Sequence, residues 1–280
     1  MIARLAVLAV GAWALVAQNQ PSVHEGWPCV GTPDPSYFRV AEATGGQVFL
    51  LDKSEIGSSA MLDIAARRHE ETVFRSAGSL VDGRHEFVFP VDSTIESLIV
   101  SVSLQCLQSV DVVKPSGLVI QETSASEFHA FRAGRIVTLR QPEPGRWLVR
   151  VAGHGMFFLV VQAKSELSLH RVEFVREGGR PGHEGLFPTH EPPRSDVPQW
   201  LAIALSGQMS GVRARLVTSP FEEIAALRLQ ESSSSPADEQ EFVARVTPPH
   251  VAFRVVVSGV DALGLPFQRV HAPMFEPAAR

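Results

Sequence analysis

From Glu71 the period of the apolar residues changes to two in a series of short segments, and this rhythm constrains the fold more than any other feature. Its clearest expression is Pro142-Glu143-Pro144-Gly145-Arg146-Trp147-Leu148-Val149-Arg150-Val151. A Pro-x-Pro-Gly turn feeds a strand there. Trp147, Val149 and Val151 fall on one face and Arg146, Leu148 and Arg150 on the other, as a half-buried strand requires. Burying a side chain as large as Trp147 stabilises by roughly 3 kcal/mol, so the indole is expected at the centre of a core. The fold class that follows is mainly β: two tandem antiparallel β-sandwich domains, immunoglobulin-like or jelly-roll-like, preceded by a short α/β remnant.

The first sandwich is expected over 71–164. Strands are predicted at 72–76 and 84–91, divided by a turn at Asp82-Gly83, then at 94–104 and 110–114. Pro115-Ser116-Gly117 turns the chain into 118–121, and strands at 128–133, 135–140, 146–152 and 156–163 complete the set. His154, flanked by two glycines, reads as a hairpin turn residue. The second sandwich is expected over 165–276. Its strands are 168–175, 200–205, 212–218, 224–230, 242–247, 252–259 and 266–270, with 176–198 as a long loop and 232–236 as a loop tip. About seven strands in a hundred residues match an immunoglobulin-like sandwich.

Ahead of this lies a helix–strand–helix piece at 34–70. Asp34-Pro35 supplies an N-cap and a first-turn proline. Phe38, Val40 and Ala41 form a short apolar stripe, and Gly45-Gly46 ends the helix. A strand follows at 47–51. Asp52-Lys53-Ser54-Glu55 has the form of a capping box, with Ile56, Ala60, Met61, Ile64 and Ala65 at helical spacing behind it. Residues 1–17 have the charged, apolar and small-residue order of a secretory signal peptide, and 18–33 is an irregular lead-in. The apolar run is shorter than the about 20 residues a span needs, so no stable membrane span is expected after signal cleavage. The chain is expected to be secreted, periplasmic or extracellular.

The 280 residues are 45% hydrophobic and 20% charged, which describes a folded chain. A net charge of -5 argues against nucleic acid or anionic membrane as the main partner. The two cysteines, Cys29 and Cys106, are a candidate disulfide in an exported chain or two independently packed thiols. A bridge closing a loop of that length stabilises by about 4 to 5 kcal/mol in the chain-entropy picture.

Several phrases together resemble a known family. Ala41-Glu42-Ala43-Thr44-Gly45-Gly46-Gln47-Val48-Phe49 is similar to the last helix and strand of a von Willebrand factor A domain. Phe87-Val88-Phe89-Pro90-Val91-Asp92-Ser93-Thr94-Ile95-Glu96-Ser97-Leu98 resembles the segment after that domain in hemicentin and related von Willebrand A proteins. Lys114-Pro115-Ser116-Gly117 and Pro144-Gly145-Arg146-Trp147 resemble later parts of the same module. Val257-Ser258-Gly259-Val260-Asp261-Ala262-Leu263-Gly264-Leu265-Pro266-Phe267-Gln268-Arg269 is similar to its closing hairpin. The A domain of that family binds a divalent ion through Asp-x-Ser-x-Ser, and that motif is missing here, so its ion site is not carried over.

No catalytic, cofactor or metal residue is assigned, and no cofactor is expected. Gly207-Gln208-Met209-Ser210-Gly211 lacks the spacing of a nucleophile elbow. His183-Glu184 and His190-Glu191 lie in a Pro-rich loop rather than on a zinc-protease helix. Arg146, Arg150, Arg213, Arg215 and Arg254 are expected on outward strand faces. Ile99, Leu148 and Val256 lie on those faces too, which suggests a covering domain or partner. The leading reading is an exported, non-enzymatic interaction or adhesion module with a protein or glycan partner. Two alternatives stand beside it: a metal-binding protein or hydrolase using the His183/His190 loop, and an accessory subunit completing a partner's A-type domain.

Overall fold

The computed structural model describes residues 7–9, 14–18, 29–61, 71–121, 123, 126–180, 182, 185–232 and 239–278, with 7–9, 14–18 and 58–61 described as backbone alone. Strands β1 (Val7–Ala9) and β2 (Ala14–Gln18) come first, within the stretch that reads as a leader. Helix α1 (Pro35–Thr44) follows, then strand β3 (Val48–Asp52) and a 3-10 helix, Lys53–Met61. β2 lies parallel to β3 and antiparallel to β1. Asp34 caps α1 by accepting from the Ser36 amide at 2.8 Å, and Gly45 ends it in the left-handed region. Val40 is exposed, so the buried face of α1 is Phe38, Ala41 and Glu42. The Asp52–Glu55 box forms, with the Asp52 amide donating to Glu55 at 2.9 Å, but it opens the 3-10 turn rather than an α-helix. Ile64 and Ala65 lie outside the described residues.

The next five strands are β4 (Glu71–Val91), β5 (Ile95–Val113), β6 (Ser126–Phe131), β7 (Gly134–Arg140) and β8 (Gly145–Ser165). They form one antiparallel sheet in the order β4-β8-β5-β7-β6. Phe74 and Phe89 both lie in β4, where a straight strand would hold them about 50 Å apart. Their ring centroids are 6.1 Å apart, so β4 doubles back on itself. β5 and β8 do the same, and one core fills the fold between their halves: Phe89, Leu98, Leu104, Trp147, Val149, Phe157 and Leu159. Register slips at Leu80/Gly83 in β4 and around Gln105 to Ser109 in β5 mark the corners. In β8 the corner is Gly153, at φ 139, where an added Cβ would sit 2.1 Å from the Cys106 carbonyl oxygen.

The first sandwich is therefore a single folded-over sheet. The expected turn at Asp82-Gly83, the break between 104 and 110 and the His154 hairpin are corners inside continuous strands, and Cys106 sits at one of them rather than at a strand end. Glycine and short polar residues serve a tight turn and a bulge by the same conformational freedom, which is why the two read alike. Nor is 118–121 a strand; Val119 makes one isolated bridge to Val113.

The outer face of this sheet is covered by α1 and β3. Phe49 and Leu51 pack on Ile99 and Ile136, while Phe38, Val48 and Leu50 pack with Ala77, Phe158 and Val160. The Leu50 amide donates to Ser103 Oγ at 2.8 Å. Cys29 and Cys106 are joined by a disulfide that fixes the start of the covering piece to β5.

A two-sheet sandwich follows: β9 (Ser168–Gly178), β10 (Gly185–Pro188), β11 (Gln199–Ser206), β12 (Met209–Val217), β13 (Glu223–Leu227), β14 (Leu229–Glu231), β15 (Glu239–Val246), β16 (Arg254–Asp261) and β17 (Pro266–Val270). Sheet β10-β9-β11-β15-β14 faces sheet β13-β12-β16-β17 across a core that includes Leu201, Ile203, Leu216, Phe242, Phe253 and Val255. Two expectations are corrected. The 176–198 loop contains β10, and 224–230 breaks into β13 and β14, which belong to different sheets. Residues 233–236 of the expected loop tip lie outside the described residues. Among the described residues no helix is long and apolar enough to cross a membrane.

Candidate ligand site and the buried seam

Chemistry-bearing side chains gather at two places. The first is the junction where α1, the folded sheet and the second sandwich meet. Glu42 of α1 accepts from Arg75 Nε of β4 at 3.0 Å, from Arg254 Nη2 of β16 at 2.7 Å and from Ser219 Oγ at 2.5 Å. Arg75 also donates to the carbonyls of Ala41, Gly45 and Gly46, so it caps the carbonyl end of α1 with a positive charge. Arg254 is fully buried, not outward, and its guanidinium meets Glu42 of α1. Val256 is buried as well, against Val217, Val270 and Phe221.

The pKa values follow from this geometry. Burial pushes the Glu42 carboxyl up, but Arg75, Arg254 and Ser219 more than offset it and leave the group below its ordinary value. Burial lowers Arg75 to about 10, against the pull of Glu42. Burial also lowers His271, to about 4, and the nearby Arg254 charge acts in the same direction.

A second knot lies further along the same junction. Arg269 of β17 donates to Asp92 at 2.8 Å with both side chains fully buried, and also to Ser165 Oγ and the Leu167 carbonyl. Thr94 satisfies the other oxygen of Asp92. Asp261 accepts from the amide and hydroxyl of Ser93 while its second oxygen closes the β16–β17 turn through Leu263 and Leu265. Burial raises the Asp261 carboxyl, but these four donors hold it below its ordinary value.

The second place is a pocket of about 330 Å³ at one end of the folded sheet. Four strand ends build it: β5 leaves at Lys114, β6 enters at Ser126, β7 leaves at Arg140 and β8 enters before Trp147. Two loops meet over it. Gly145, at φ 138, has Pro115 pressed against it so closely that a Cβ would approach within 2.8 Å. Glu143 accepts from the Ser116 amide at 3.4 Å, and its carbonyl accepts from Trp147 Nε1 at 2.8 Å. Gln141 holds a left-handed backbone at φ 47, strained for a non-glycine residue and pinned by its amide's bond to the Glu96 carbonyl at 2.7 Å. The lining mixes apolar surface from Leu118, Val119 and Leu139 with polar heads from Lys114, Gln121, Gln141 and Glu143. A concave apolar wall with a few convergent polar groups is the ordinary form of a small-molecule site.

None of these pocket residues follows from the periodicity, because they are scattered over strand ends. The one early sign was the pair of turns, Lys114-Pro115-Ser116-Gly117 and Pro144-Gly145-Arg146-Trp147, which the structure brings together. His183 and Glu184 lie outside the described residues, and His190 is exposed beyond β10. Among the described residues one group has the spacing of metal ligands, Cys29, Cys106 and His154, and its two sulfurs are bonded to each other.

Comparison with known proteins finds likeness to hemicentins. A family model described as hemicentin galactose-binding domain-like matches residues 73–166, which span the folded sheet and its pocket. Mouse hemicentin-1 is 22% identical over 245 residues, covering 85% of this chain. Human hemicentin-1 is 21% identical over 244 residues, again 85% of the chain, and mouse hemicentin-2 is 21% identical over 256 residues, or 90%. The chain spans only 4% to 5% of the length of these curated relatives. No solved structure matches it.

Proposed function

We propose that this chain is an extracellular-matrix or adhesion-type β module that works by binding rather than by catalysis, and that the loop-end pocket is where it holds a sugar. The observation that carries this reading is a coincidence of place. The stretch similar to a galactose-binding domain-like family is the stretch that builds the pocket. Its tasks fit binding: the apolar lip suits the C–H face of a sugar ring, and the Gln121 and Gln141 amides suit hydroxyls. Isotope-edited NMR of the full chain titrated with galactose tests it. Shift changes confined to the 114–121 and 140–147 loops are expected. Saturating sugar that moves no resonance, or moves only those of the second sandwich, would overturn it.

The remaining parts of the reading belong to the same proposal. Residues 1–17 act as an export leader, so the exported chain begins near Gln18; N-terminal sequencing from the medium or envelope checks this, and a start at Met1 would contradict it. The piece at 34–70 derives from the end of a von Willebrand A-type domain, and the chain divides into units near residues 71 and 165.

A further inference from the structure

The charges around the pocket are unequal once their internal pairing is followed. Arg140 also lines the pocket, and its guanidinium is shared with Glu127 at 3.3 Å. Glu143 has one oxygen turned to the Ser116 amide, where it ties the two loops together. Lys114 is different. Its backbone closes the Pro115-Ser116-Gly117 turn through the Gly117 amide at 2.9 Å, while its half-buried side chain lines the pocket and makes no ion pair among the described residues. Several buried or half-buried cations elsewhere have carboxylate partners, Arg75, Arg254 and Arg269 in the seam and Arg132 with Asp52, whereas half-buried Arg135 has none among the described residues. Beside Lys114 stand Leu118 and Val119, 65% and 38% exposed, an uncovered aliphatic lip at the pocket.

Resting on the sugar-binding reading above, we propose that the pocket selects an acidic saccharide, a sugar ring bearing a carboxylate, with Lys114 taking the carboxylate. The aliphatic lip receives the apolar face of the ring. Gln121 and Gln141 bond its hydroxyls from opposite loops, and the strained backbone of Gln141 sets the position of its amide. A lysine is a point charge on a flexible stem, so it tolerates carboxylates at slightly different ring positions. At a half-buried position the attraction is stronger than between charges in open water, which favours the acid over the neutral sugar.

The test is a pair of calorimetric titrations of the full chain, with galacturonate and with galactose, at low and at high salt. The acid is expected to bind about tenfold tighter at low salt, and the gap should narrow as salt screens the pair. Lys114→Ala should abolish the preference for the acid without changing the melting temperature, and Lys114→Arg should restore part of it. Arg213→Ala, on the exposed face of β12, should change neither titration. Equal affinity for the two sugars, with shifts still in the pocket loops, would overturn this inference and leave the sugar-binding reading standing. Binding of neither sugar would remove both. An acid preference that survives Lys114→Ala would place the selecting charge elsewhere and overturn the role of Lys114.

Discussion

The seam and the pocket treat charge in opposite ways. In the seam, Arg75, Arg254, Arg269, Glu42 and Asp92 are buried, and each is paired with an opposite charge from a different part of the chain, although Arg254 Nε and Nη1 have no hydrogen-bond partner among the described residues. In the pocket, Lys114 and Glu143 stand at the rim, Gln141 carries backbone strain, and aliphatic surface stays open to solvent. A buried charge that loses its partner is left without water to replace it, so the seam cannot vary without loss of the fold. A rim charge keeps its water, so the pocket can vary without that cost. The difference separates residues that hold the molecule together from residues free to meet a ligand.

The sharpest way to break the comparison is Arg269→Met. It strands Asp92 fully buried, and the expected loss is about 3 to 5 kcal/mol by denaturant unfolding. Adding Asp92→Leu should recover most of it, because two apolar groups need no partner. A loss under about 1 kcal/mol for the single variant would show that the buried pair is not what joins the two β units.

Acid sharpens the same contrast. His271 is neutral in the fold down to about pH 4, whereas the unfolded chain takes up a proton near 6.5. Between those values the unfolded state binds more protons, so stability falls as pH drops, by up to about 3 kcal/mol. Glu42 has a lowered pKa in the fold, so its contribution is present above its ordinary value of 4.5 and is lost as pH falls below it. Urea midpoints measured from pH 7 to 4 should therefore slide downward, and His271→Phe should flatten the upper part of the slope. A midpoint independent of pH between 7 and 5 would contradict this.

At the pocket the expected effects on stability are smaller. Gly145→Ala places a side chain against Pro115 at a backbone angle that disfavours one, at a cost of about 1 to 3 kcal/mol. Its larger consequence should be on the two loops, read as weakened galactose shifts at 114–121 and 140–147. Unchanged shifts would mean the loops are positioned independently of that contact.

How much of this could be read from residues alone depends on what each signal reports. Alternation assigns a face, so the inward side of Trp147, Val149 and Val151 was legible. It does not say whether the opposite face meets water. Ile99, Val256 and Arg254 were placed outward for that reason; Ile99 meets β3, Arg254 meets α1, and Val256 packs with Val217, Val270 and Phe221. The α1 caps were legible at Asp34-Pro35 and Gly45-Gly46, because capping is local chemistry. The doubling back of β4, β5 and β8 was not, since Asp82-Gly83 and Gly153-His154-Gly155 suit a turn and a corner equally. The pocket needs four strand ends brought together, and no local pattern encodes that meeting.

Bonds across the seam, Arg269 to Asp92, Gln268 to the Val73 carbonyl and Ser93 to Asp261, are expected to make the folded sheet and the second sandwich one cooperative unit. Native-state hydrogen exchange tests it most directly, by comparing the most protected amides of β5 and β8 with those of β11 and β16. A single shared opening free energy is expected, which Arg269→Met should split into two. Two separate values in the unaltered chain would show that the halves unfold independently, and would contradict the account.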